Sequence, residues 1–154
     1  MRTSIKAVAL AAILLSVSAC EKPKPEVTVF SGARSVHAPA ACWMPEATSA
    51  CAVDPAAAVT ELVVTSGATL GISVDSDVAE AGWRPSLIVN GQEQQLTSGL
   101  LHRRYWRMQY PEVALTGLAG KPLQLVVYSM TEDGQNVRGY WNFSLDNTES
   151  LDNA

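Results

Sequence analysis

The chain has 154 residues, 47 % of them hydrophobic, with 15 acidic and 11 basic side chains and a net charge of −4. That length allows one domain with a real core. The acidic balance argues against nucleic acid as a partner, because phosphates call for a basic face. Beyond the first twenty residues the sequence holds no apolar run of the roughly 20 residues needed to cross a bilayer.

The N-terminal stretch has the layout of an export signal. Arg2 and Lys6 supply a positive start, Ala7 to Leu15 is an unbroken apolar run of nine residues, and Ser16, Val17, Ser18 and Ala19 lead to Cys20. Nine apolar residues are too few for a spanning helix. The tetrad Val17-Ser18-Ala19-Cys20 resembles the bacterial lipobox, with valine in the aliphatic place where leucine is more usual. The resemblance implies cleavage after Ala19 and a diacylglycerol on the Cys20 thiol. One acyl chain anchors only marginally, at about 0.8 kcal/mol per buried CH₂, whereas two or three on one residue anchor durably. A plain secreted protein with a coincidental cysteine is the alternative.

Removal of residues 1–19 leaves 135 residues and takes away Arg2 and Lys6, so nine basic side chains face fifteen acidic ones. With Cys20 acylated, Cys42 and Cys51 form an even pair in an oxidising compartment, which reads as a disulfide. Closing the intervening WMPEATSA loop stabilises by roughly 2–3 kcal/mol. Two cysteines alone fall short of a zinc site, and a redox C-x-x-C is absent.

Residues 20–26 form a short tether, the lipidated cysteine followed by EKPKPE with Pro23 and Pro25, which read as extended chain. The domain proper is expected over 27–146. Val27 to Phe30 is its first strand, turned at Ser31-Gly32, with Ser35 to His37 as hairpin partner. Residues 38–58 are rich in Ala and Pro without helical period, and read as a loop fixed by the disulfide. From Val59 the period becomes two, with Thr60, Leu62 and Val64 on one face. After Ser66-Gly67, Leu70, Ile72 and Val74 point inward. Asp75 to Gly82 is an acidic connection, and Trp83 to Val89 the next strand, with Trp83 inward. Asn90-Gly91 is the strongest hairpin signal, since both residues tolerate the positive φ of a type I′ turn, and Gln92 to Thr97 returns antiparallel and solvent-facing.

Trp106, Met108 and Tyr110 share a face of the following strand, which Pro111 ends. A turn at Gly117 to Lys121 leads into Pro122 to Tyr128. After a loop at Glu132 to Gln135, Val137 to Leu145 closes the domain with Trp141, Phe143 and Leu145 on one face. Residues 147–154 read as a disordered acidic tail. Seven to nine short strands without a convincing amphipathic helix predict an all-β fold, an antiparallel β-sandwich of immunoglobulin- or fibronectin-like architecture. The nine-residue cysteine separation is too short to pin two sheets together as in antibody domains. A small open β-barrel is the alternative.

The exported part also resembles a family of actinobacterial lipoproteins of unknown function. The likeness rests on the lipobox and Pro-containing linker, the PEVTVFSGARSV strand pair, the close cysteines, the LVVTSGATLGISVDSDVAEAGWR segment and the closing hairpin. It implies location and domain shape, and brings no catalytic residues.

The chemistry-bearing residues are few. His37 and His102 are the only histidines, and no G-x-S-x-G, H-E-x-x-H or S-x-x-K motif is present, so no enzyme, cofactor or metal is expected. Asp75, Asp77 and Glu80 lack the glycine and terminal glutamate of an EF-hand loop and read as a solvated turn. The unusual cluster is His102-Arg103-Arg104-Tyr105-Trp106-Arg107 in an otherwise acidic domain. Arginine beside an aromatic suits anions and sugar rings through forked hydrogen bonds and stacking. Arg103, Arg104, Tyr105 and Arg107 are the candidate site for an anionic ligand. The alternative is that Trp106 belongs to the core and the arginines pair with local acids.

The sequence thus points to a non-enzymatic envelope lipoprotein on the extracytoplasmic face of the cell membrane. Its partners are the membrane, through the lipid, and an envelope protein or a cell-wall or lipid component. An accessory subunit or assembly factor of an envelope complex is the second expectation, and a cell-wall hydrolase the last.

Overall fold

The computed structural model describes residues 22–65, 67–110 and 122–148. Two open sheets face each other. The first has four antiparallel strands in the order β2 (Arg34–Pro39), β1 (Glu26–Ser31), β5 (Thr69–Val74) and β8 (Tyr105–Gln109). The second runs β3 (Cys42–Trp43), β10 (Val137–Thr148), β9 (Leu123–Met130), β6 (Trp83–Val89) and β7 (Gln92–Gln95). In this sheet β4 (Val59–Thr65) also pairs with β10. The chain is therefore a β-sandwich, and the barrel alternative is not adopted.

Alternation along the strands builds the core. Leu70 and Ile72 of β5, Val27 and Val29 of β1, and Trp141, Phe143 and Leu145 of β10 are fully buried between the sheets, together with Trp83. The predicted inward residues of β4, Leu62 and Val64, are also buried. The β6–β7 hairpin turns at Asn90 (φ 50°) and Gly91 (φ 76°), the two positive φ values that a type I′ turn requires. All four residues of β7 are exposed.

Three features differ from the sequence reading. First, β4 runs parallel to β10, from Asn142↔Val59 to Thr148↔Thr65. The cause is the disulfide loop. Strand β3 descends antiparallel along the first residues of β10, the chain reverses, and β4 climbs the same edge. The Cys42–Cys51 bridge ties this reversal, and the Cys51 amide donates to the Val137 carbonyl at 2.7 Å.

Second, the outer face of β10, which the sequence reading left unassigned, is covered. Tyr140 and Asn142 are buried there. The Asp54 amide donates to the Tyr140 hydroxyl, and the Asn142 side-chain amide donates to the carbonyls of Asp54 and Ala57. Tyr140 packs with Val126, Tyr128 and Met130 in a second apolar cluster under the disulfide segment.

Third, the acidic connection contains a short helix, α1 (Ser76–Ala81), which buries Val78 and Ala79 and stops at Gly82 with φ 91°. At six residues it is too short to reveal a 3.6 period.

Strand β10 also continues to Thr148, two residues beyond the expected domain end, and Asn147 accepts a hydrogen bond from Tyr110. The signal, Cys20, Ser66, the turn at Gly117 to Lys121 and the rest of the tail lie outside the described residues.

The tether is docked rather than free. Pro25 is buried, and its carbonyl accepts a hydrogen bond from the Trp141 indole at 3.0 Å. The Glu26 amide donates to Asp75, and Lys22 pairs with Asp77 on α1.

Candidate functional site

The predicted arginines gather at one edge of the four-stranded sheet. Strand β8 pairs only with β5 among the described residues. Tyr105, Arg107 and Gln109 are exposed on one face of the strand, while Trp106 and Met108 are half-buried against the core. Tyr105 and Arg107 therefore share a face, as the alternation predicts. Arg104 lies outside the strand. The strand begins at Tyr105, leaving Arg103 and Arg104 exposed at the open end of the sandwich.

The backbone beneath these arginines is held from both sheets. The Trp83 indole of the second sheet donates to the Arg103 carbonyl at 2.8 Å, and the Val74 amide of the first donates to the Arg104 carbonyl at 2.9 Å. The guanidinium groups are left for solvent. Among the described residues no carboxylate lies within 4.0 Å of Arg103, Arg104 or Arg107, so the expected local ion pairs are not formed. Two other arginines show what structural use looks like here. Arg138 lies 4.5 Å over the Trp43 ring and donates to the carbonyls of Met44 and Pro45. Arg84 lies 5.3 Å over Tyr128 and 3.7 Å from Glu93.

Beside the arginines the sheet carries a small aromatic shelf that sequence reading did not identify. Phe30 of β1 and Tyr105 of β8 tilt together with centroids 6.1 Å apart, although β5 lies between their strands. They meet because the intervening position on that face is Gly71. A Cβ there would stand 2.8 Å from the Tyr105 hydroxyl and 3.0 Å from Phe30. A glycine interrupting an alternating strand marks a close approach, and that was the legible signal. Gly71 and Arg107 are register partners, so the guanidinium borders the shelf. Tyr105 is 48 % exposed, and Leu100, just before the cluster, is 36 % exposed.

The other candidates do not form sites. His37 and His102 are both exposed and lie on different elements. His102 packs its ring at Gly82. Asp75 accepts the Glu26 amide, Asp77 holds Lys22, and among the described residues no three His, Cys, Asp or Glu side chains are grouped as metal ligands. Asp133 accepts from the Thr131 hydroxyl at 2.6 Å and the Gln135 amide at 3.0 Å, and these bonds hold its carboxyl below the ordinary value of 3.8. A recess of about 260 Å³ lies between the tether and the Trp43–Arg138 stack. No protein family, curated protein or solved structure matches the chain.

Proposed function

We propose that the protein is a membrane-anchored envelope lipoprotein, held by lipid on Cys20, whose sandwich domain binds an anionic ligand at the β8 edge without catalysing a reaction. The observation that carries the reading is the contrast among its arginines. Arg84 and Arg138 are stacked and hydrogen-bonded or paired, whereas Arg103, Arg104 and Arg107 stand exposed with no carboxylate at ion-pair distance among the described residues. Three unpaired guanidinium groups in an acidic chain keep their forked donors available for carboxylate or phosphate. The lipobox residues support the location.

Two measurements test the two halves separately. Palmitate labelling of the wild type that is lost in Cys20→Ala supports the anchor; equal labelling of both sinks it. Charge reversal at Arg103, Arg104 and Arg107 to Glu, with an unchanged circular dichroism spectrum, is expected to abolish association with anionic envelope material. Unchanged association in a folded triple variant removes the binding site.

The outer edge of β8, without a paired strand among the described residues, favours a second reading, in which a partner protein adds a strand there. Affinity capture from detergent extract separates the two readings, because strand addition gives a stoichiometric protein partner that survives the charge reversal.

A further inference from the structure

We infer that Arg103 and Arg104, just before β8, and Arg107 within it, together with Leu100 and Tyr105, form the membrane-facing surface of the anchored domain, and that their ligand is the anionic phospholipid headgroup layer around the anchor. This deepens the proposed function and rests on its reading of Cys20. Val27 opposes Val74 across β1 and β5, and the Val74 amide donates to the Arg104 carbonyl, so Val27, Val74 and Arg104 form one row. Glu26 and Asp75, joined by a hydrogen bond, lie one residue further out, as does Arg103. The N-terminal tether and the arginine pair therefore leave the same end of the same sheet, two strand spacings apart, or about 10 Å.

The position of the tether turns this juxtaposition into an orientation. Pro25 is clamped by Trp141, and the exposed Lys22–Asp77 pair adds a weak second contact on α1, so the chain leaves the domain beside α1. Cys20 precedes Lys22 by two residues, which span at most about 7 Å when fully extended. The interfacial layer on each side of a bilayer is about 5–7 Å deep. A lipid on Cys20 thus brings this end of the sandwich to the headgroups, and the far end, with the β1–β2 turn at Arg34, points away.

The surface chemistry at the near end matches such a layer. Leu100 and Tyr105, two of the large hydrophobics left exposed, flank Arg103 and Arg104. The Leu100 side chain reaches Gly82, and Leu101 bridges to Trp83 at the start of β6, which places this loop at the tether end. An aliphatic and a tyrosine beside basic groups is the composition that settles at a lipid interface. Lys24 adds a further exposed cation on the tether. Opposing charge at this end is present in Glu26, Glu46, Asp75, Asp77, Glu80, Glu132 and Asp133; Asp75 accepts the Glu26 amide, Asp77 faces Lys22, Asp133 is turned to its own loop, and among the described residues no carboxylate lies within 4.0 Å of Arg103 or Arg104.

The test is arginine footprinting of the full chain. Protein purified from membranes is placed in nanodiscs of phosphatidylcholine, with or without phosphatidylglycerol, and modified with phenylglyoxal. Site occupancy is read by tandem mass spectrometry. Several-fold protection of Arg103 and Arg104 that needs phosphatidylglycerol, with Arg34 reacting equally in both discs, supports the inference. Arg103 and Arg104 reacting equally in both discs overturns it. Intact mass reports the anchor independently. Should Cys20 carry no lipid, the anchored reading fails on that result alone. The same footprint with added phosphatidylglycerol vesicles then decides the headgroup inference: protection keeps it and absence of protection ends it.

Discussion

At the scale of single residues, the positions that shape the candidate site are Gly71 and Tyr105. A methyl group at 71 meets the Tyr105 hydroxyl, which can swing away, and the half-buried Phe30 ring at 3.0 Å, which must give slightly, so Gly71→Ala is expected to cost about 1 kcal/mol. It is expected to remove the Phe30–Tyr105 contact, read as loss of the NMR cross-peaks between the two rings; retained cross-peaks would show that the glycine does not set the shelf. Gly139 is the contrasting case. A Cβ there stands 2.5 Å from the Trp43 ring and 3.2 Å from the Cys42 carbonyl, and Trp43 is pinned under Arg138. Gly139→Ala should therefore cost about 1–3 kcal/mol in denaturant unfolding, as overpacking does.

Tyr110 gives a pH signature at the same scale. Burial pushes its phenol up to about 12, against the smaller opposing effect of its hydrogen bond to Asn147. The folded value lies above the ordinary 10.0, so its contribution to stability is complete below pH 10 and is lost as pH rises through about 12. Tyr110→Phe should lose about 1 kcal/mol with the hydrogen bond. In alkaline titration it should also show a shallower fall in stability between those pH values. A variant that falls as steeply as the wild type would place the alkaline sensitivity elsewhere.

At the scale of elements, the disulfide segment organises the second sheet. It reverses the chain between β3 and β4 and roofs the outer face of β10 through Asp54 and Ala57. Replacing Cys42 and Cys51 together with alanine should lower unfolding free energy by about 2–3 kcal/mol, the loop-closure value for this separation. Hydrogen exchange should rise first at Cys51 and Asp54, whose amides depend on the reversal.

What the sequence made legible were features with short-range causes. The alternation of Leu70, Ile72 and Val74 gave β5 its inward face, and Asn90-Gly91 gave the hairpin, because period and turn chemistry are local. The parallel pairing of β4, the second buried face at Tyr140 and Asn142 and the docking of Pro25 on Trp141 depend on partners 80 or more residues away, as does the loop covering β10. The arginine cluster was visible as composition. Its freedom from carboxylates became visible only once the neighbouring strands were placed.

At the scale of the whole molecule, the sandwich has two unlike ends. One carries the tether, α1, the disulfide loop and Arg103–Arg104; the other carries the β1–β2 and β6–β7 turns. In the proposed anchored state, this polarity stands the domain on its tether end. Near an anionic surface each arginine contributes roughly fivefold in affinity, so Arg103→Glu with Arg104→Glu should weaken vesicle association at least about thirtyfold and reduce its sensitivity to salt. Arg34→Glu, at the opposite end, should leave association unchanged.

The most direct measurement of the central claim is an NMR titration of the chain with a short-chain phosphatidylglycerol, following the arginine side-chain NεH signals. The account predicts saturable shifts at Arg103, Arg104 and Arg107, with Arg34, Arg84 and Arg138 unmoved. Largest shifts at Arg138, beside the recess under the tether, or no shifts at Arg103 and Arg104, would contradict it.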